Sequence, residues 1–213
     1  MKYAIIGISL KFPECDTKKE FWDILINNKT IIKKHPENRF NYKSYVNKEN
    51  KPGKMNCDKA GYLENINSFD NNYFNLSDKE TKNMDPQQKL MLELAEKCFI
   101  DSKINFKDIV NSKTGVIIGG GWPLHYQNIL SDKYDCNEYT CTGSISCIIS
   151  NRISYYYNLQ GPSFTIDTAC SSSGYALHQA INGMNNNDMD MCLVGGVNII
   201  IPEISVGFSK AKM

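Results

Sequence analysis

A strand-like run, a helix-like run and a second strand-like run follow one another between Ser163 and Ile201. The first is "SFTID", the second begins after Cys170 with apolar residues at helical spacing, and the third is "MCLVGGVNIII". Strand, helix and strand in one sheet form a parallel pair joined by a right-handed crossover. This order predicts an α/β fold.

Two segments near the start of the chain extend the alternation. The apolar run "YAIIGI", Tyr3–Ile8, predicts a buried strand. The segment "TKKEFWDILIN" predicts a helix, because Thr17 and Glu20 have the spacing of a capping box.

The segment "MDPQQKLMLELAEKCF" predicts a further helix. Asp85 is its expected N-cap, Pro86 its first residue, and Gln88 stands at the reciprocal capping position. A later helix is predicted from Gly143 to Tyr157, where isoleucines recur close to helical spacing.

The run "TGVIIGGG" predicts a buried strand that ends in a tight glycine loop. Its glycines invite a nucleotide-binding interpretation. However, residues 119–121 lack both the third spaced glycine and the helix start that give the dinucleotide fingerprint its mechanism. The sequence does not favour nucleotide binding.

Composition excludes several classes of protein. The net charge of +1 argues against a nucleic-acid partner, which requires a concentrated basic face. No window reaches the roughly 18 apolar residues of a membrane span, and the short apolar start lacks a cleavage site for secretion. The cytoplasm is the expected location, with no membrane partner.

The eight cysteines contain no C-x-x-C pair and no neighbouring histidine. Neither a disulfide framework nor a zinc site is expected, and no bound cofactor or metal is predicted.

Cys170 lies where the strand-like run changes into the helix-like run. The unpaired N–H groups and the positive dipole end of a helix N-terminus favour a thiolate. The same N–H groups can stabilise an oxyanion, and Ser171–Ser173 are small enough to admit a substrate. These features predict a nucleophile, and the alternative is that Cys170 is one more buried thiol.

The three histidines do not provide Cys170 with a general base. His178 lies eight residues further along the same predicted helix, which is about 12 Å away at a rise of ~1.5 Å per residue. It is interpreted as a surface or packing residue. His35 and His125 lie in predicted loops, where nothing local directs them towards the sulfur.

The segment "GPSFTIDTACSSSGYALH" resembles the nucleophile segment of β-ketoacyl synthase domains, especially those of polyketide synthases. The similarity extends over nearly the whole chain, through "YAIIGISLKFP", "GYLENINSFDNNYFNLSDKETKNMDPQQKLMLELA", "TGVIIGG", "NRISYYYNLQGPS" and "LVGGVNIII". The resemblance implies a thiolase-like fold. It also implies that Cys170 accepts an acyl chain as a thioester during polyketide or fatty-acid biosynthesis.

The implied partner is an acyl-carrier protein, or another acyl thioester, that presents the chain on phosphopantetheine. The family also implies a homodimer joined through the region from "NRISYYY" to "GPSFTID". The sequence departs from the family pattern at Gly174, where an apolar residue such as leucine is usual.

The resemblance covers only the N-terminal half of the family's domain. Residues 1–213 are therefore interpreted as an incomplete β-ketoacyl synthase domain, without the C-terminal half and its two catalytic histidines. We expect a chain that does not catalyse condensation alone. Two functions stay open: an acyl-accepting synthase segment, or a non-catalytic pseudoenzyme that associates with full-length synthases.

Overall fold

The computed structural model describes residues 2–37, 39–47, 49, 51–122 and 136–213. Its helices are α1 (Lys18–Ile26), α2 (Asp78–Asn83), α3 (Pro86–Ser102), α4 (Phe106–Ile109), α5 (Thr140–Ser144), α6 (Ile148–Tyr157), α7 (Ser172–Asn185) and α8 (Pro202–Lys210). Its strands are β1 (Lys33–Lys34), β2 (Lys59–Ala60), β3 (Thr114–Gly119), β4 (Ser163–Ile166) and β5 (Met191–Gly196), and turns of 3-10 helix cover Tyr42–Ser44 and Ala169–Ser171. The chain divides into a unit of Met1–Ser9 with Ile66–Asn198 and a unit of Leu10–Asn65 with Ile199–Met213.

The larger unit contains a parallel sheet in the order β4-β3-β5. The predicted strand, helix and strand after Ser163 are confirmed. The two strands are parallel, but β3 lies between them and pairs with both. All six residues of β3 are buried, and a central strand covered on both faces explains the unbroken apolar run of its sequence.

The two faces of β3 support separate packing layers. Val116 and Ile118 contact a cluster that includes side chains of α3 and α6, whereas Ile117 packs against Ala176 and Ala180 of α7. This division follows from the alternation of side chains along a strand. Helices therefore cover the sheet on both sides, as the predicted α/β class requires.

Helix α3 begins as its sequence predicts, with Asp85 accepting a hydrogen bond from the Gln87 N–H at 2.9 Å. The capping role predicted for Gln88 is wrong. Its side chain instead donates to the Thr142 carbonyl at 3.0 Å and accepts from Arg152 Nε at 3.0 Å. Because Gln88 is buried, its amide needs partners from other elements rather than from its own helix end.

The predicted helix from Gly143 to Tyr157 is divided into α5 and α6, with residues 145–147 between them. The predicted strand at Tyr3–Ile8 is absent, and Ile5 is 79% exposed. This segment is held by an Ile8 N–H bond to Asp101 and a Ser9 hydroxyl bond to the Leu94 carbonyl. An apolar run becomes a strand only where a neighbouring strand pairs with its peptide groups, and no described strand does so here.

The smaller unit contains α1, α8 and the antiparallel pair β1–β2. Helix α1 has the predicted capping box between Thr17 and Glu20. His35 is buried in this unit, and its ring contacts the Tyr62 hydroxyl and the Cys57 carbonyl.

Candidate active site

Cys170 lies in the short connection between β4 and α7. It is part of the 3-10 turn Ala169–Ser171, and α7 begins at Ser172. The predicted helix start beside Cys170 is therefore confirmed. The Cys170 residue is exposed, so the interpretation as a buried thiol does not describe it.

The backbone turns sharply before Cys170. Ala169 has a φ of 55°, a left-handed conformation that costs a residue with a Cβ atom about 1–2 kcal/mol. Its N–H donates to Asp167 Oδ1 at 2.8 Å. Ser172 Oγ accepts from the Thr168 N–H at 2.9 Å and donates to the Ala169 carbonyl at 2.7 Å. These bonds offset the strain and hold the turn.

Glycines allow the start of α7 to lie directly on the ends of two strands. A Cβ atom at Gly119, the last residue of β3, would lie 2.6 Å from Ser172 C and 2.6 Å from Ser173 N. A Cβ atom at Gly196, the last residue of β5, would lie 3.0 Å from Ser173 Cβ. These glycines therefore permit close packing of a helix start against the sheet, which explains the glycine-rich strand end without a nucleotide.

The Cys170 N–H makes no hydrogen bond within the described residues. It lies beside the N-terminus of α7, where the helix dipole favours negative charge. An exposed cysteine and a backbone N–H without a described acceptor thus belong to one residue.

The sequence-family model for the β-ketoacyl synthase N-terminal domain matches residues 2–213 of this chain. The chain belongs to the β-ketoacyl synthase family. It is 38% identical to the highly reducing polyketide synthase fogA of Aspergillus ruber over 98% of its own length and 9% of that protein's. Polyketide synthase 37 of Dictyostelium discoideum is also 38% identical, over 99% of this chain and 7% of that protein.

The fold of this β-ketoacyl synthase chain is the thiolase-like fold of known ketosynthases. The ketosynthase from module 6 of the Bacillus subtilis bacillaene synthase has a TM-score of 0.85 and 33% identity. It is matched over 99% of this chain and 34% of its own. The chain thus spans about a third of that solved ketosynthase and less than a tenth of the two curated relatives.

Several other cysteines of this chain are also exposed, so exposure alone does not distinguish Cys170. Cys147 provides the closest comparison, because it is exposed and is the N-cap of α6. It has no left-handed residue before it. By contrast, burial raises the pKa of the Cys192 thiol to about 12, which keeps it protonated at neutral pH.

His35 and His178 each contact partners other than Cys170. His178 is exposed on α7, where its Nε2 is 3.0 Å from Asn182 Nδ2, and its interpretation as a surface residue is confirmed. His35 belongs to the smaller unit, and His125 lies outside the described residues.

A cavity of about 230 Å³ lies beside Gly174, Tyr175 and His178 on the exposed side of α7. A Cβ atom at Gly174 would have no neighbour within 4 Å. The glycine that departs from the family pattern therefore faces open space one helical turn beyond Cys170.

Sequence reasoning named Ser172 only as a small residue that admits a substrate, and it missed Asp167 and Ala169, which also shape this site. Nothing in the local pattern marks an alanine for a positive φ, which is uncommon for residues other than glycine.

Among the described residues, no group of side chains is arranged to hold a metal ion. No helix in the same residues is long and apolar enough to cross a membrane.

Proposed function

We propose that Cys170 accepts an acyl group from a carrier thioester, as the loading step of polyketide or fatty-acid chain extension. The observation that supports this most directly is the exposed Cys170 thiol at the start of α7, with its own N–H free of other described acceptors. A nucleophile and an oxyanion donor are the two requirements of acyl transfer.

The step is a transthioesterification. The Cys170 thiolate attacks the carbonyl carbon of an acyl-phosphopantetheine, which forms a new C–S bond and places negative charge on the oxygen. The Cys170 N–H stabilises that oxyanion. The intermediate then expels the phosphopantetheine thiolate, and the acyl chain is left on Cys170.

The proposal for this chain does not extend to condensation. Loss of CO₂ from a malonyl-type thioester produces an enolate that needs hydrogen-bond donors at its oxygen. The resemblance assigns that role to two histidines, in segments that none of His35, His125 and His178 resembles. The complete reaction is therefore proposed only for a synthase in which such histidines are present.

The test is to incubate the purified chain with an acyl-loaded carrier protein and to locate the acyl group by peptide mass spectrometry. We expect it on Cys170, and no transfer in Cys170→Ala. Cys147→Ser is the matched control, because it removes another exposed thiol at a helix start and is expected to leave acylation unchanged. Acyl groups spread equally over Cys147 and Cys170 would contradict the proposal.

We also propose that two copies of the chain associate through β4. This strand lies at one edge of the described sheet, and its Phe164 side chain is 36% exposed. Unpaired edge strands readily pair with a second strand. We expect light scattering to find a dimer at micromolar concentration, with the dimer weakened in Phe164→Lys but not in Ile100→Lys, which changes an exposed residue of α3. A stable monomer would refute this interface.

A further inference from the structure

The hydroxyl of Ser172 bridges two peptide groups on either side of the turn before Cys170. It accepts from the Thr168 N–H at 2.9 Å and donates to the Ala169 carbonyl at 2.7 Å. Ser172 is only 8% exposed, so water does not readily replace these bonds. The Ser172 side chain therefore binds the backbone on both sides of the left-handed Ala169, alongside the Asp167 carboxylate that accepts from the Ala169 N–H.

The Ala169 carbonyl belongs to the same peptide group as the Cys170 N–H. The described residues contain no cis peptide bond, and in a planar trans peptide the C=O and N–H bonds point in opposite directions. A hydrogen bond that holds the carbonyl towards the Ser172 hydroxyl therefore directs the Cys170 N–H away from it. The Ser172 N–H donates to the same carbonyl at the end of the 3-10 turn, so the Ser172 hydroxyl is one of two donors that set the direction of the Cys170 N–H.

We propose that Ser172 is a positioning residue that orients the Cys170 N–H towards the oxyanion of an acyl-transfer reaction. The inference rests on the proposed function, in which Cys170 accepts an acyl group. Ser172 itself contacts neither the acyl group nor the carrier in the proposed reaction. Its effect passes through the Ala169–Cys170 peptide group.

A positioning role predicts different effects on two reactions of the same thiol. Iodoacetamide alkylates a thiolate by displacement of iodide, which forms a C–S bond without any oxyanion. p-Nitrophenyl acetate acylates the thiolate through a tetrahedral oxyanion, which then expels p-nitrophenolate. Only the second reaction uses the Cys170 N–H as an oxyanion donor.

The experiment measures both rates at Cys170 by peptide mass spectrometry and compares their ratio between variants of the purified 213-residue chain. In Ser172→Ala we expect acylation to fall about tenfold more than alkylation. This is less than the roughly 100- to 1,000-fold effect of removing an oxyanion donor, because the N–H is misdirected rather than lost. Ser172→Thr keeps the hydroxyl and therefore its hydrogen bond to the Ala169 carbonyl. We expect its ratio of acylation to alkylation to stay within about threefold of the wild type.

Ser150→Ala is the matched control. Ser150 is also buried, but it lies in α6 rather than α7. Its hydroxyl donates to the Cys147 carbonyl at 3.0 Å. We expect this variant to keep the wild-type ratio. Equal losses of acylation and alkylation in Ser172→Ala, or the same change of ratio in Ser150→Ala, would show a purely structural role and overturn the inference.

The result does not depend on transfer from a carrier protein, because p-nitrophenyl acetate reacts with any accessible thiolate. Failure of carrier transfer would count against the proposed function, whereas an unchanged ratio would count against the role of Ser172. Thermal melts identify folded variants. If Ser172→Ala is unfolded, Ser172→Cys decides the question, because its thiol is a weaker donor and must lower the ratio if the inference is correct.

Discussion

Replacement of Gly119 by alanine is expected to destabilise the chain by about 3 kcal/mol, the upper part of the usual range for overpacked sites. The new Cβ atom would lie 2.6 Å from Ser172 C and 2.6 Å from Ser173 N. These are backbone atoms at the start of α7, which cannot change rotamer to make room. The helix must move away from the end of β3, or the strand must shift.

Gly174→Ala is the matched control for this prediction. Gly174 lies in α7, the helix that packs on Gly119, but a Cβ atom at Gly174 would meet nothing within 4 Å. Gly174 is the third residue of α7, and alanine is favoured over glycine by about 0.5–1 kcal/mol in a helix interior, so this variant should be as stable as the wild type or slightly more stable. Urea denaturation monitored by circular dichroism measures both changes. Similar stabilities of the two variants would contradict the close packing of α7 on β3.

Loss of Arg152 is expected to cost about 3 kcal/mol, the lower end of the range for breaking a buried ion pair. Arg152 Nη1 lies 2.6 Å from Glu80 Oε1, and the two side chains are only 9% and 23% exposed. Its Nε also donates to Gln88 of α3. In Arg152→Met, the Glu80 carboxylate and the side-chain amide oxygen of Gln88 would both lose a hydrogen-bond donor in a site with little access to water.

Two further variants test the electrostatic origin of that cost. Arg152→Met combined with Glu80→Met removes both charges and should recover part of the lost stability, because no unpaired carboxylate is left. Lys43→Met breaks the pair with Glu37, whose side chains are 68% and 70% exposed, and should change stability by less than about 1 kcal/mol. A double variant as unstable as the sum of its single variants would indicate lost packing instead.

Local sequence signals were sufficient for the elements that depend on neighbouring residues. The capping box of α1, the Asp85 N-cap of α3, the buried strand β3 and the helix start beside Cys170 are confirmed. Each involves residues within a few positions of one another. The segment around Cys170 and the other motifs along the chain were likewise sufficient for the family, whose model matches residues 2–213. The role of Cys170 stays a prediction.

The tertiary structure decided the features that depend on distant partners. The apolar run at Tyr3–Ile8 has the pattern of a strand, but a strand also needs a neighbour for its peptide groups. The predicted cap at Gln88 became a link to Thr142 and Arg152, since a buried amide takes whichever partners surround it.

The shape of the candidate site was also decided by the fold. Gly119 has meaning only because α7 packs on it, and the positive φ of Ala169 is tolerated because Asp167 and Ser172 bind the adjacent peptide groups. A strained conformation persists where its surroundings stabilise it by more than its cost. The sequence by itself indicated which of the eight cysteines is the predicted nucleophile. The three-dimensional packing determined the exposure of Cys170 and the conformation of the turn that holds its thiol and N–H.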